Sequence, residues 1–75
     1  MPEMAILGRN GDTKIIWDSD QDAEVENARR TFDELRGKGY LAFRVRDDDA
    51  AKGDQIREFD ADAEKMILSP PMQGG

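Results

Sequence analysis

One stretch of this chain, and only one, has the periodicity of a helix. Val25, Ala28, Phe32 and Leu35 recur at i, i+3, i+7 and i+10 and so share one face of an α-helix. Glu24, Glu26, Arg29, Arg30, Asp33, Glu34 and Arg36 fall between them and make the opposite face wet. Acidic residues gather at its start (Asp20, Asp22, Glu24), and Arg36 and Lys38 stand at its end, as the helix dipole favours. Gly37 or Gly39 supplies the left-handed stop. A lone helix with one apolar face must be covered by something else, and the rest of the chain offers strands.

Met4 to Leu7 is short and apolar, and Thr13 to Asp18 is β-branched and aromatic, as strands prefer. Between them Asn10-Gly11 suits the positive φ that a chain reversal needs, so the two segments are expected to form an antiparallel hairpin. After the helix the period returns to two. Leu41, Phe43 and Val45 alternate with Ala42, Arg44 and Arg46, which predicts a half-buried strand with the larger apolar residues on the core side. The stretch from Asp47 to Asp54 is charged, carries a glycine and reads as a solvated loop. Gln55 to Phe59 is a short strand, residues 60–64 a turn, and Lys65 to Ser69 the last strand. Pro70-Pro71 then ends strand pairing, since neither residue has an N–H to donate.

The apolar residues have little to spare. Leu, Ile, Val and Phe make up 14 of the 75 residues, and a domain of this size is marginally stable at best. Nearly every apolar residue is therefore expected to serve the core. The predicted helix packs Val25, Ala28, Phe32 and Leu35 on Leu41, Phe43, Val45, Ile6 and Ile15.

Composition also narrows function. There is no Cys and no His, which removes thiolate metal sites, disulfides and the usual neutral-pH general base. A formal net charge of -6 argues against nucleic-acid binding. No run approaches the roughly 18 apolar residues of a membrane span, and the first residues lack a signal-peptide pattern. Thr13, Ser19 and Thr31 have no base-and-orienter arrangement around them, so no catalytic set is expected. Asp18, Asp20, Asp22 and Glu24 imitate the start of a calcium loop, but Ala23 and Arg29 occupy the positions where that loop needs Gly and Glu. An acidic helix start accounts for these carboxylates. Asp47-Asp48-Asp49 reads as a loop tip rather than a metal site. No metal and no cofactor are expected.

The order strand, strand, helix, strand, strand, strand predicts an α+β fold with a mixed sheet over one helix, the β-grasp, spanning residues 1–69 and followed by an extended tail over 70–75. The order of elements, the length and Gly74-Gly75 at the end of the sequence resemble the ubiquitin-like proteins, including the small prokaryotic sulfur carriers. The approach Pro70-Pro71-Met72-Gln73 is stiff and neutral, unlike the basic tail of ubiquitin, and is similar to the prokaryotic side of the family. The resemblance implies a protein modifier or sulfur carrier, cytoplasmic and monomeric on its own. An ATP-dependent adenylating enzyme would activate the Gly75 carboxylate, and a deconjugating metalloprotease is a further partner it implies. Glycines at positions 74 and 75 would pass a narrow channel that residues with a Cβ could not. The chain would be a substrate of that enzyme and not itself an enzyme. The alternative is a β-grasp interaction or assembly module that is never conjugated.

A docking face is also expected. Arg44 and Arg46 share one side of the third strand, Arg57 alternates with Ile56 on the fourth, and Ile67 points outward if Met66 and Leu68 face the helix. Arg44, Arg46, Arg57, Ile67 and Met72 would then form an apolar spot ringed by cations beside the tail, for the activating partner or a reader.

Overall fold

The computed structural model describes residues 1–45 and 53–71. The elements follow the predicted order: β1 (Glu3–Ile6), β2 (Thr13–Ile16), α1 (Asp22–Gly37), β3 (Leu41–Val45), β4 (Asp54–Ile56) and β5 (Lys65–Ser69). They form an α+β fold with a five-stranded mixed sheet in the order β2-β1-β5-β3-β4. β1 and β5 run parallel at its centre, and the other three pairings are antiparallel. A parallel pair needs a long crossover, and here the helix and three strands lie between its partners in sequence.

The helix ends as its sequence directs. Gly39 sits at φ +95°, its N–H donates to Arg36 O (3.0 Å), and the Tyr40 N–H reaches back to Leu35 O (3.1 Å). This pair of bonds is the Schellman arrangement, and it selects Gly39, not Gly37, as the left-handed stop. At the other end Gln21 occupies the cap position without a side-chain bond. Order there comes from Glu24, whose Oε1 accepts the Asp18 N–H (3.1 Å), and from Asp18, whose Oδ1 accepts the Asp20 N–H (2.9 Å). The acidic run thus satisfies backbone donors at the helix entry.

Met4, Trp17, Ala28, Phe32, Ala42, Ala63, Met66 and Leu68 form the buried cluster. Ile6, Ile15, Val25, Leu35, Tyr40, Ile56 and Phe59 pack against it. Phe59 meets Trp17 at a centroid distance of 5.4 Å and Phe32 edge-on at 5.7 Å, so three aromatic rings from three parts of the chain close the space between the layers.

The strand β3 corrects the expected packing. Residues directly opposite in a ladder share a face. Ala42 pairs with Leu68 and Ile56, and Arg44 with Met66, so Ala42 and Arg44 lie on the helix side. Leu41, Phe43 and Val45 lie on the other side, opposite Ser69, Ile67 and Lys65. Ala42 is fully buried and Leu41 is 42% exposed, whereas Val45 is buried at 3% exposure, as expected, although it lies on the side away from the helix. The physical reason is volume. Trp17 and Phe59 bring aromatic bulk into the core from outside the regular alternation, so a methyl group suffices at position 42. The loop expected from Asp47 to Asp54 lies mostly outside the described residues, but Asp54 itself begins β4.

Three substitutions check this packing. Phe32→Ala should destabilise the fold by about 3–5 kcal/mol, the range for removing a fully buried ring, as read by urea denaturation. Ala42→Leu should cost about 1–3 kcal/mol by overpacking. Leu41→Ser should change stability by only about 0.5 kcal/mol. The opposite ranking of the last two would restore the predicted register.

Candidate functional site: the open sheet face and the root of the tail

The helix covers one side of the sheet. The other side is built by the alternate residues of the same strands. Across its middle run Lys14, Ala5, Ile67, Phe43 and Gln55, and beside them Ile16, Glu3, Lys65 and Val45. Ala5, Ile67 and Phe43 are half-buried by their neighbours, whereas Ile16 remains 56% exposed. Lys14 Nζ stands 3.3 Å from Glu3 Oε2 at the β2 side of this surface. The result is a small apolar strip with lysines beside it, on an otherwise acidic chain.

Ile67 therefore points outward, as the sequence predicts, but its neighbours differ from those predicted. Across the strands it faces Ala5 and Phe43 rather than arginines. Arg44 is on the opposite face, so it belongs to no cation ring around Ile67. Its Nη1 donates to Asp60 Oδ2 at 2.8 Å, and its Nη2 lies 3.8 Å from Asp54 Oδ2. Arg57 follows β4 and is exposed, beside a cleft of about 460 Å³ that Arg44 and Asp60 also line. Arg46, Met72, Gly74 and Gly75 lie outside the described residues.

Asp60 is a residue that the sequence reading passed over. Besides the Arg44 bond, its Oδ1 accepts the Asp62 N–H at 3.0 Å. The Arg44 guanidinium, helped by backbone N–H groups of Asp62 and Ala63, holds its carboxyl below the ordinary value. The pair fastens β3 to the turn that delivers Phe59 and Ala63 into the core. The local signal was the Asp60-Ala61-Asp62 pattern, since Asp commonly accepts the N–H two residues on. The partner sixteen residues earlier left no local trace.

The last described residues leave the sheet at the end where the helix finishes. The Leu7 N–H donates to Leu68 O at 2.9 Å and extends the β1–β5 pairing toward this end. Gly39 lies against Pro71, whose Cβ would be 3.5 Å from a Cβ at position 39. Gly8, Arg9, Tyr40, Pro70 and Pro71 line an open depression of about 610 Å³ there. The apolar strip and this depression are linked through neighbouring strand positions, from Ile67 to Ser69 on β5 and from Phe43 to Leu41 on β3.

Among the described residues no group of three or more Asp and Glu is placed to hold a metal ion. Among the same residues no helix is long and apolar enough to cross a membrane. No protein-family model, no curated protein and no solved structure matches the chain.

The Arg44–Asp60 bond has a pH signature. A carboxyl whose folded pKa is depressed contributes stability above its unfolded value, near 3.8, and loses it as pH falls through the folded value. Asp60→Asn should lower stability by about 1 kcal/mol at neutral pH, as expected for a partly exposed charged hydrogen bond. Urea midpoints measured at descending pH should show the variant and the parent converging below that value. A constant gap down to the most acid conditions would mean that the Asp60 charge is not what holds the turn.

Proposed function

We propose that this chain is a ubiquitin-like modifier or sulfur carrier of β-grasp type, activated at the Gly75 carboxylate by a partner adenylating enzyme. The observation that carries the reading is the sheet order with one crossing helix. β5 occupies the centre, and its end opens at the helix C-terminus, where residues 70–75 follow. A mixed sheet in the order β2-β1-β5-β3-β4 under a single helix is compatible with the β-grasp arrangement. The reading applies to a chain that ends at Gly75 or is cut after it.

In this mechanism the chain is the substrate. The Gly75 carboxylate attacks the α-phosphate of ATP and pyrophosphate leaves. The resulting acyl-adenylate is an activated carbonyl. In the carrier route a persulfide of the partner attacks it and AMP departs. A second thiol of the partner then cleaves the acyl disulfide, leaving the Gly75 thiocarboxylate and a disulfide on the partner. In the modifier route a lysine amine attacks and AMP departs. Pro70-Pro71 cannot extend the ladder, because neither residue has an N–H, so the pairing of β5 ends at Ser69. Glycines at both final positions suit a narrow nucleotide channel. The apolar strip of Ala5, Phe43 and Ile67 is the face we assign to the activating partner. It adjoins the root of the tail and is flanked by Lys14 and Lys65, which favours an acidic rim on that partner.

The test pairs ATP–pyrophosphate exchange by the host's adenylating enzymes with intact-mass analysis of the chain from its native host. Exchange should occur with the parent and be lost in Gly75→Ala, with thermal unfolding unchanged. Ile67→Asp should weaken exchange by at least about tenfold, the effect of losing one interface anchor. Sulfur in place of one carboxylate oxygen would identify the carrier route, and lysines bearing a Gly-Gly remnant the modifier route. Absence of exchange, thiocarboxylate and remnants together would replace this reading with an interaction module that uses the same sheet face.

A further inference from the structure

The turn between β1 and β2 places Asn10 directly before Gly11. Asn10 and Gly11 are both exposed. Among the described residues the Asn10 side chain makes no hydrogen bond, and the Gly11 N–H makes only the loose contact with the Gly8 carbonyl that closes the Arg9-Asn10 turn. Gly11 has φ +127°, and no atom lies within 4 Å of where a Cβ would stand. The amide nitrogen that follows Asn10 is thus held only by a loose, exposed turn contact, and no side chain on its own residue crowds its approach to the Asn10 side-chain carbon.

We propose that Asn10 is a site of spontaneous deamidation, the folded hairpin leaving its cyclisation open rather than blocking it. The Gly11 backbone nitrogen, having given up its proton to base, attacks Asn10 Cγ. The side-chain nitrogen leaves as ammonia, and a five-membered succinimide spans residues 10 and 11. Water then adds to one of the two ring carbonyls. Opening on one side gives an aspartyl residue, and on the other an isoaspartyl residue whose main chain is one carbon longer. Water enters and ammonia leaves, with no change of oxidation state.

The molecule carries its own control. Asn27 is also exposed, but it lies within α1 and is followed by Ala28, which is fully buried in the core. Its carbonyl accepts the Thr31 hydroxyl at 3.1 Å. Helical backbone holds the next amide nitrogen in the hydrogen-bond ladder and away from Cγ, so Asn27 is protected.

The product has a structural consequence at the end of the sheet where Pro70 and Pro71 leave. Gly8 and Gly11 approach closely there, since a Cβ on Gly8 would fall 2.8 Å from Gly11 O. An added main-chain carbon at position 10 cannot be absorbed without moving that contact. Either product also places one further negative charge next to Arg9, on the rim of the depression shared with Tyr40.

The test incubates the full folded chain at mildly alkaline pH beside a free peptide spanning residues 7–14. Peptide mapping should show progressive loss of the asparaginyl form at position 10, two products that separate as aspartyl and isoaspartyl, ammonia in equal amount, and Asn27 intact. Asn10→Gln should slow the reaction sharply, because its cyclisation needs a larger ring, and it should unfold at the parent's temperature. Conversion of the peptide with retention of Asn10 in the folded chain would overturn the proposal. Equal conversion of Asn27 would overturn it too, since the fold would then not be selecting the site.

Discussion

The contact of Phe32 with the sheet is the interaction on which the rest depends. With one helix available, only one side of five strands can be sealed, and the sealing is done by a few large residues. Phe32 presents its edge to Phe59, and Phe59 in turn tilts against Trp17. The helix, the segment before it and the β4–β5 turn are therefore joined through one aromatic chain. Because this chain of rings supplies the volume, the sheet beneath it needs only methionines, a leucine and an alanine.

The same constraint creates the outer surface. Strands alternate, so every residue committed to the helix side leaves its neighbours facing away. With Met4, Met66, Leu68 and Ala42 inside, Ala5, Ile67, Phe43 and Leu41 are necessarily outside. The apolar strip is thus a direct product of register. Its position beside the root of the tail follows from β5 lying in the middle of the sheet and not at an edge. Arg44, on the inner side, is occupied in holding a turn to the core, and Lys14 and Lys65 are cations of the open face among the described residues.

The helix and the existence and order of the five strands were legible because each rests on local pattern, helical spacing and β-branched runs between turn residues. The choice of Gly39 over Gly37 and the end of β4 at Ile56 rather than Phe59 were not. The outward direction of Ile67 was legible too, since Met66 and Leu68 on either side of it are the larger commitment to the core. What β3 presents was not. Leu41-Ala42-Phe43-Arg44-Val45 alternates equally well in either parity, and hydropathy alone favours the larger residues inside. Much of the core volume comes from Trp17 and Phe59, which lie far from β3 in sequence and whose burial no local rule assigns. The bond between Arg44 and Asp60 is hidden for the same reason, because it joins residues that only the folded sheet brings together.

The parallel pairing of β1 with β5 also sets an order of events during synthesis. Residues 3–6 find their central partner only in residues 65–68, so the first strand to emerge waits for nearly the last. The β1–β2 hairpin and α1 can form locally, but β3 and β4 have no central strand to join until β5 arrives. Contacts of such long sequence separation slow folding and leave edges open in the interval. A nascent chain lacking its final segment would hold two halves of a sheet with a gap one strand wide. Closing that gap is the step that turns separate pieces into a single cooperative unit.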